Sequence, residues 1–176
     1  ALLVKDEVKN DQGLLIDVGC GEAHALSDTV GISDKFTVGV DAWLSPNWQI
    51  SPDRAFVVAD VSCLPFRSGV ASTVICLDVL EHLQSETDCL EEISRISSPG
   101  ALTVVMVPAL ESLWSKHDDE VGHVRRYQRK DISSLLTRNG LEVVKSSYFF
   151  MWLVVPAVIR RFSKGSVGTK QSESTG

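Results

Sequence analysis

Four short apolar runs in the first half of the chain each stop at an acid or a glycine, and this punctuation constrains the fold more than any other feature. Leu14-Leu15-Ile16-Asp17-Val18 closes on Gly19, and Phe36-Thr37-Val38-Gly39-Val40 closes on Asp41. Ala55-Phe56-Val57-Val58-Ala59 closes on Asp60, and Thr73-Val74-Ile75-Cys76-Leu77 on Asp78. Runs this short and this continuously apolar read as strands buried on both faces, the habit of parallel sheets. Helical signals lie between them. A short helix is expected from Ala23 to Val30, stopped by Gly31. A second places Leu90, Ile93 and Ile96 on one face, with Ser85 and Asp88 approximating a capping box and Pro99-Gly100 as its stop. A fifth strand follows over Ala101 to Val107. A helix over Arg129 to Arg138 then ends at Asn139-Gly140, and Leu141 to Ser147 reads as a sixth strand.

Alternating strands and helices predict an α/β fold: a doubly wound, mostly parallel, Rossmann-like sheet in the order 3-2-1-4-5-6, with helices on both faces. In such sheets ligands bind beyond the carboxyl ends of the strands, where Asp41, Asp60 and Asp78 lie. The 176 residues suit one domain, taken as residues 1–162. Residues 163–176 are almost all small or polar and are expected to form a disordered tail. The net charge of −6 argues against a domain-wide grip on nucleic acid. The four cysteines stand far apart with no CxxC pair, which suits reduced thiols of a cytoplasmic protein rather than a zinc framework or a disulfide scaffold. No signal peptide is legible, and the missing initial Met suggests that the natural chain starts upstream. The longest apolar run, Phe149 to Ile159, falls short of the roughly 20 residues of a spanning helix.

Between strand one and its helix, Gly19 and Gly21 allow a tight bend and the close approach of a ligand. Asp41 follows Gly19 by 22 residues, a spacing that suits a carboxylate at the end of strand two accepting from both hydroxyls of a ribose. A dinucleotide fingerprint would want glycine where His24 stands, and an imidazole there is expected to crowd helix–strand packing. A nicotinamide-dependent oxidoreductase is disfavoured on that ground, and a nucleoside without phosphates is preferred.

At these residues the chain resembles the class I S-adenosylmethionine-dependent methyltransferases, of the type that acts on small molecules. Asp17-Val18-Gly19-Cys20-Gly21 is similar to the family's first motif and Val38-Gly39-Val40-Asp41 to its ribose-binding strand end. Ala59-Asp60-Val61 with Leu64-Pro65-Phe66 is similar to its adenine-side motif, and Leu77-Asp78-Val79-Leu80-Glu81-His82-Leu83 to its loop after strand four. The resemblance runs from about Leu14 to Ile159. It implies S-adenosyl-L-methionine as cofactor and S-adenosyl-L-homocysteine as product. Gly19 and Gly21 would make room for the methionine part, with Asp17 on its ammonium and the Leu77–Asp78 peptide nearby. Asp41 would hold the ribose, Asp60 the adenine amine, and the Val61 backbone would face the ring. The chain departs from the family pattern at Ala23, at Ala71-Ser72 and at Gln128, and no segment suits the family's seventh, antiparallel strand.

The resemblance places acceptor-binding groups after strand five, in Ser115 to Tyr127. An oxygen or nitrogen acceptor needs a base, and histidine titrates in a suitable range, so His117 and His123 are the candidates. The competing reading is that His123, Arg125 and Arg126 pair with Asp118, Asp119 and Glu120 to hold the loop closed. No metal site is assigned, since the H-x₅-H spacing is not a ligand pattern. Glu81 and His82 read first as caps of the following helix. Arg125, Arg126, Arg129 and Lys130 suit either an anionic substrate or a solvated face. Phe149 to Phe162 suits a core helix, a homodimer contact or a peripheral contact with lipid. Two functions stand: methyl transfer to a small-molecule acceptor, with no nucleic acid expected, or a non-catalytic binding subunit that needs a partner protein.

Overall fold

The computed structural model describes residues 13–24, 26 and 35–148. It contains five parallel strands: β1 (Leu14–Val18), β2 (Phe36–Asp41), β3 (Arg54–Val58), β4 (Ala71–Leu77) and β5 (Ser97–Met106), in the order β3-β2-β1-β4-β5. The order and direction expected for the first five strands are those found. The helices are α1 (Thr87–Ile96), α2 (Lys116–Val121) and α3 (Arg129–Arg138), with single 3₁₀ turns at Leu80–His82 and Glu111–Leu113.

The sheet is buried on both faces because its central strands carry apolar residues at successive positions. One face sets Ile16, Val18, Val38, Val40, Val74 and Cys76 against Leu90, Ile93 and Ile96 of α1, with Ile132, Leu135 and Leu136 of α3 packed at its margin. The other sets Leu15 and Ile75 against Ala23 and Leu26, bordered by Trp48 and Phe56, whose rings stack at 4.8 Å. His24 and Leu26 are helical; the rest of the helix expected after β1, the segment 149–162 and the tail 163–176 lie outside the described residues.

Three expectations change. Leu141 to Ser147 is not a strand: Leu141 joins the core beside α3, whereas Val144 is 90% exposed, so the apolar alternation there is not spent on a ladder. Among the described residues β5 is therefore one edge of the sheet, opposite β3. The capping box at Ser85 does not form, because α1 begins one residue later, after Glu86, and the Glu86 carboxylate is committed to Arg125 and Tyr127. Pro99-Gly100 does not separate α1 from β5. The strand starts at Ser97 opposite Ala71, and its register jumps so that Thr73 faces Leu102, which loops out the stretch holding the proline.

One side-chain cluster locks the loop after β3 onto α1. Glu92 accepts from the Leu64 amide at 2.6 Å, and Arg95 donates to the carbonyls of Leu64 (3.0 Å) and Phe66 (2.8 Å) while pairing with Glu92 at 2.6 Å. That loop carries Asp60 and Val61. Arg95→Ala leaves two carbonyls and a carboxylate without their partner, and should lower unfolding free energy in urea by about 1–3 kcal/mol. Faster hydrogen exchange at the Leu64 amide should accompany it; unchanged exchange there would show that the cluster does not hold the loop.

Candidate active site

The β1 strand delivers Asp17 to the top of the sheet, in register with Gly39 and Ile75. The chain then turns sharply. The amides of Gly19 and Cys20 both donate to the Val40 carbonyl, at 2.8 and 2.9 Å, so the end of β1 is tied to the end of β2. Gly19 and Gly21 sit at φ +73° and +51°, the left-handed region that glycine enters freely. The two glycines serve different ends. A Cβ on Gly19 would come within 2.3 Å of Val79 Cγ2, whereas a Cβ on Gly21 would meet nothing within 4 Å. Gly19 permits packing onto the loop after β4. Gly21 borders open space.

Asp41 stands beside that space. Its Oδ2 accepts from the Gly21 amide at 2.8 Å and its Oδ1 from the Trp43 amide at 3.1 Å, and each oxygen keeps a further lone pair. Trp48 Nε1 donates to the Gly21 carbonyl at 2.8 Å and braces the turn from the far side. Beneath the turn, Asp17 is 2% exposed and its Oδ2 meets no hydrogen-bond donor among the described residues. Burial, and then the charge of Asp41, push the Asp17 carboxyl up to about 7. The same causes, burial first and then Asp17 and Asp41, push the Cys20 thiol to about 12 and make it inert.

Asp60 is exposed, and its Oδ1 accepts from the Ser62 hydroxyl (2.7 Å) and amide (2.8 Å), which holds the carboxyl below its usual range. Val61 is 9% exposed. Leu77 ends β4, and Asp78 follows at φ +53° with its amide donating to the Met106 carbonyl at 3.0 Å. The carboxyl of Asp78, crowded by protein on one side, is raised by desolvation against the pull of His123 and His82. The strand ends thus gather Asp17, Gly19, Gly21, Asp41 and the Leu77–Asp78 peptide at the carboxyl edge of β1, β2 and β4, with Asp60 and Val61 just past β3.

His24 corrects the argument drawn from it. Its side chain is 86% exposed and pairs with Glu22 at 3.2 Å, so it does not crowd the sheet. The tight position is Ala23, which is 2% exposed at φ +64°.

The segment after β5 folds back over the loop after β4. Tyr127 bridges to Ala109, and its hydroxyl donates to Glu86 at 3.1 Å. The Val124 amide donates to the Glu81 carbonyl at 2.8 Å. Asp118, fully buried, organises this layer. It accepts from the Ser115 amide (2.8 Å) and hydroxyl (2.9 Å), from Arg126 Nε (2.7 Å) and Nη2 (2.9 Å), and it meets His123 Nδ1 at 2.9 Å. Burial would raise its carboxyl, but Arg126, His123 and Ser115 together hold it far below the usual range. The closed-loop reading is therefore correct for His123 and Arg126 through Asp118, while Arg125 pairs with Glu86 instead. Two of the four clustered cations are thereby committed within the protein.

The two candidate histidines part company. His123 is fixed next to the loop after β4, with His82 edge-on to its ring at 4.9 Å and Glu81 Oε1 3.8 Å from its Nε2. His117 is exposed on α2 and outside this network. Glu81 does not cap a helix; its side chain is fully buried. The reading of Ser115 to Tyr127 as an irregular loop also missed α2, although Ser115-x-x-Asp118 before it and Gly122 after it are legible helix signals.

A family model described as "Methyltransferase domain" matches residues 2–146. The chain belongs to this methyltransferase family. No curated protein matches at the sequence level. Among solved structures, a chain of the complex of the Haloferax volcanii Trm112 methyltransferase activator superposes with a TM-score of 0.69 at 21% identity, over 82% of this chain and 68% of that one. Haemonchus contortus phosphoethanolamine N-methyltransferase 2, bound to S-adenosyl-L-methionine, gives 0.72 at 14% identity, over 94% and 42%. Geranyl diphosphate C-methyltransferase from Streptomyces coelicolor, bound to Mg²⁺, geranyl diphosphate and S-adenosyl-L-homocysteine, gives 0.64 at 14% identity, over 78% and 56%. The methyltransferase fold expected from the motifs is the fold found, and the chain spans between 42% and 68% of these three neighbours.

The contrast between the two glycines is testable. Gly19→Ala adds a clash to backbone strain of about 1–2 kcal/mol and should lower the melting temperature markedly. Gly21→Ala carries the strain alone, yet places a methyl group in the open space beside Asp41. Its ligand affinity should fall far more than its stability; equal losses in both variants would remove the distinction.

Proposed function

We propose that this chain binds S-adenosyl-L-methionine at the carboxyl edge of β1 to β4 and directs methyl transfer to a small-molecule acceptor. The observation that carries the reading is Asp17: a buried carboxylate with an unpaired oxygen, under an open glycine turn, beside Asp41. Such a carboxylate suits a cationic ligand, because an ammonium would supply both the missing donor and the missing charge. When bound, the cofactor supplies a methyl group activated by a sulfonium.

The residues divide the work by chemistry. Asp17 would hold the ammonium, directly or through water, and Gly19 and Gly21 leave the backbone accessible. The free lone pairs of Asp41 would accept from the two ribose hydroxyls. Asp60 would accept from the adenine amine, with the Val61 backbone facing the ring, and Trp43, 82% exposed next to Asp41, offers an aromatic surface at the same end. The Leu77–Asp78 peptide would border the methionine part. On the acceptor side His123, oriented by Asp118, is the residue we assign to catalysis ahead of His117. Holding an acceptor in line with the methyl group supplies much of the rate of such a displacement. Acidic net charge supports a small molecule over nucleic acid.

A second reading, a subunit that acts only with a partner protein, is favoured by the match to a chain from an activator complex and by the exposed Trp43, Leu44 and Ile50 after β2. Cofactor binding without turnover by the isolated chain, and turnover once a partner is added, would mark it. Among the described residues no helix is long and apolar enough to cross a membrane. The homodimer or lipid contact expected of 149–162 lies outside them.

Calorimetric titration with S-adenosyl-L-homocysteine, with NADH as control, tests the assignment. Micromolar binding of the former alone is expected, and Asp41→Ala should weaken it by about 1.5–3 kcal/mol, the scale of hydrogen bonds to a charged group. Unchanged affinity in Asp41→Ala would remove the ribose assignment.

The pH dependence follows from Asp17. Asp41 is the charged group that acts on it, and its carboxyl titrates near 7. An ammonium-bearing ligand prefers the ionised carboxylate, so affinity should fall as pH drops through 7. The fall approaches about tenfold per pH unit at most. Asp17→Asn should bind weakly with a flat profile; a flat profile in the wild type would remove the ammonium contact.

A further inference from the structure

The loop after β4 and the layer folded over it bring together three groups that the cofactor assignment leaves unused. Glu81, His82 and His123 each offer one ligand atom, and the three atoms lie within 4.8 Å of one another. Glu81 is fully buried, and neither of its carboxylate oxygens has a hydrogen-bond partner among the described residues. Its nearest cationic candidate, His123 Nε2, stops 3.8 Å from Oε1, too far for a hydrogen bond.

The reason for that gap lies on the other side of the ring. His123 Nδ1 is held by Asp118 at 2.9 Å, and Asp118 is itself fixed by Arg126 and Ser115. Asp118 engages Nδ1, so Nε2 is the ring nitrogen that faces Glu81, and in the neutral ring its lone pair would meet those of the carboxylate. Two electron pairs facing each other in a buried site repel, unless a cation or a proton lies between them. The carboxylate–histidine arrangement is also the usual outer support of a metal-bound imidazole.

We propose that Glu81 Oε, His82 and His123 Nε2 bind one divalent cation of the class that takes two imidazoles and a carboxylate, represented by Zn²⁺ and Mn²⁺. At about 2.0–2.2 Å from a tetrahedral Zn²⁺, two ligand atoms on one ion sit roughly 3.3–3.6 Å apart. The Glu81–His123 separation of 3.8 Å is close to that, and the wider spacings of the cluster, up to 4.8 Å, need roughly an ångström of closure, which exposed His82 is placed to supply. Two imidazoles favour Zn²⁺ over Mg²⁺, and the carboxylate leaves Mn²⁺ as the harder alternative. Three protein ligands leave coordination positions open on the side of exposed His82, as catalytic rather than structural sites do. An acceptor hydroxyl or carboxylate at an open position would be fixed and made more acidic. The site itself stands on these three residues; its use in catalysis rests on the methyl-transfer reading above.

The test uses the full chain, stripped with chelator and desalted, and titrated with Zn²⁺ against a chromophoric competitor and with Mn²⁺ by electron paramagnetic resonance. One equivalent of Zn²⁺ or Mn²⁺ should bind at micromolar concentration or tighter. His82→Gln, at an exposed position where folding is not at risk, should weaken binding at least tenfold. Asp118→Asn should weaken it about 10- to 100-fold. Binding of S-adenosyl-L-homocysteine, measured in parallel, should persist in His82→Gln. Absence of stoichiometric binding, or equal affinity in His82→Gln, overturns the site. Cation binding without S-adenosyl-L-homocysteine binding keeps the site and overturns the methyl-transfer reading instead.

Discussion

Two amides donating to one carbonyl fix the geometry on which the rest of this site depends. By giving both Gly19 N–H and Cys20 N–H to the Val40 carbonyl, the chain reverses at the top of β1 without leaving the sheet. The turn can then be braced from both sides, by Asp41 on the Gly21 amide and by Trp48 on the Gly21 carbonyl. These bonds satisfy backbone groups that would otherwise be stranded at the end of a buried strand, where each costs about 1–3 kcal/mol. They also seal Asp17 beneath the turn. A carboxylate at the edge of an apolar sheet is therefore less an accident of sequence than a position from which water is excluded on all sides but one.

Backbone strain is distributed around the same edge. Ala23, Asp78 and Leu110 are the non-glycine residues at positive φ among those described, and they lie in the loops leaving β1, β4 and β5. Each costs on the order of 1–2 kcal/mol against a relaxed residue, and strain of this kind persists only where the surroundings determine it. Here they do. Ala23 is buried under the turn, Asp78 is pinned by its amide to Met106, and Leu110 is pinned by its amide to the Tyr127 carbonyl. The pins run from β1 through β4 to β5, so the ligand edge is held as one surface rather than as three independent loops.

The parts of this arrangement that were legible in the sequence are those dictated by local chemistry. The strand runs are continuous because both faces are buried, and three of them stop at an acid that is costly to bury unpaired, which places Asp41, Asp60 and Asp78 at the strand ends. Gly19 and Gly21 are legible for the same reason, since few other residues take that turn. What sequence alone did not yield depends on distant partners. The failed strand at Leu141–Ser147 has a strand's alternation, and only the absence of a ladder decides against it. The α1 start shifts because Glu86 is engaged 39 residues away by Arg125. Glu81 looked like a helix cap because its burial under Val124 is a tertiary fact, set by the amide that reaches across to its carbonyl. His24 misled in the opposite direction, because the motif position was judged without knowing that its side chain turns to solvent.

Two buried carboxylates, Asp17 and Glu81, share an electrostatic predicament and resolve it differently. Burial raises both to about 7, with Asp41 adding to the first and Asp78 to the second, while the Glu81 amide and His123 pull the second back in part. A carboxyl in that condition either stays protonated or recruits positive charge. Protonation would make each an ordinary buried acid, but each also keeps an oxygen with no donor. Replacement by an apolar side chain of similar volume would relieve both at no loss of packing. An unpaired buried oxygen suits a cationic partner at each position. At Asp17 the space above the glycine turn admits an ammonium on a flexible ligand. At Glu81 the imidazole of His123 is held by Asp118 with its Nε2 3.8 Å from the carboxylate, too far for a hydrogen bond, a spacing that suits a compact ion between them. In the proposed reading, the acid under the turn serves the cofactor and the acid under the fold-back layer serves the acceptor side, each through charge that the protein itself does not neutralise.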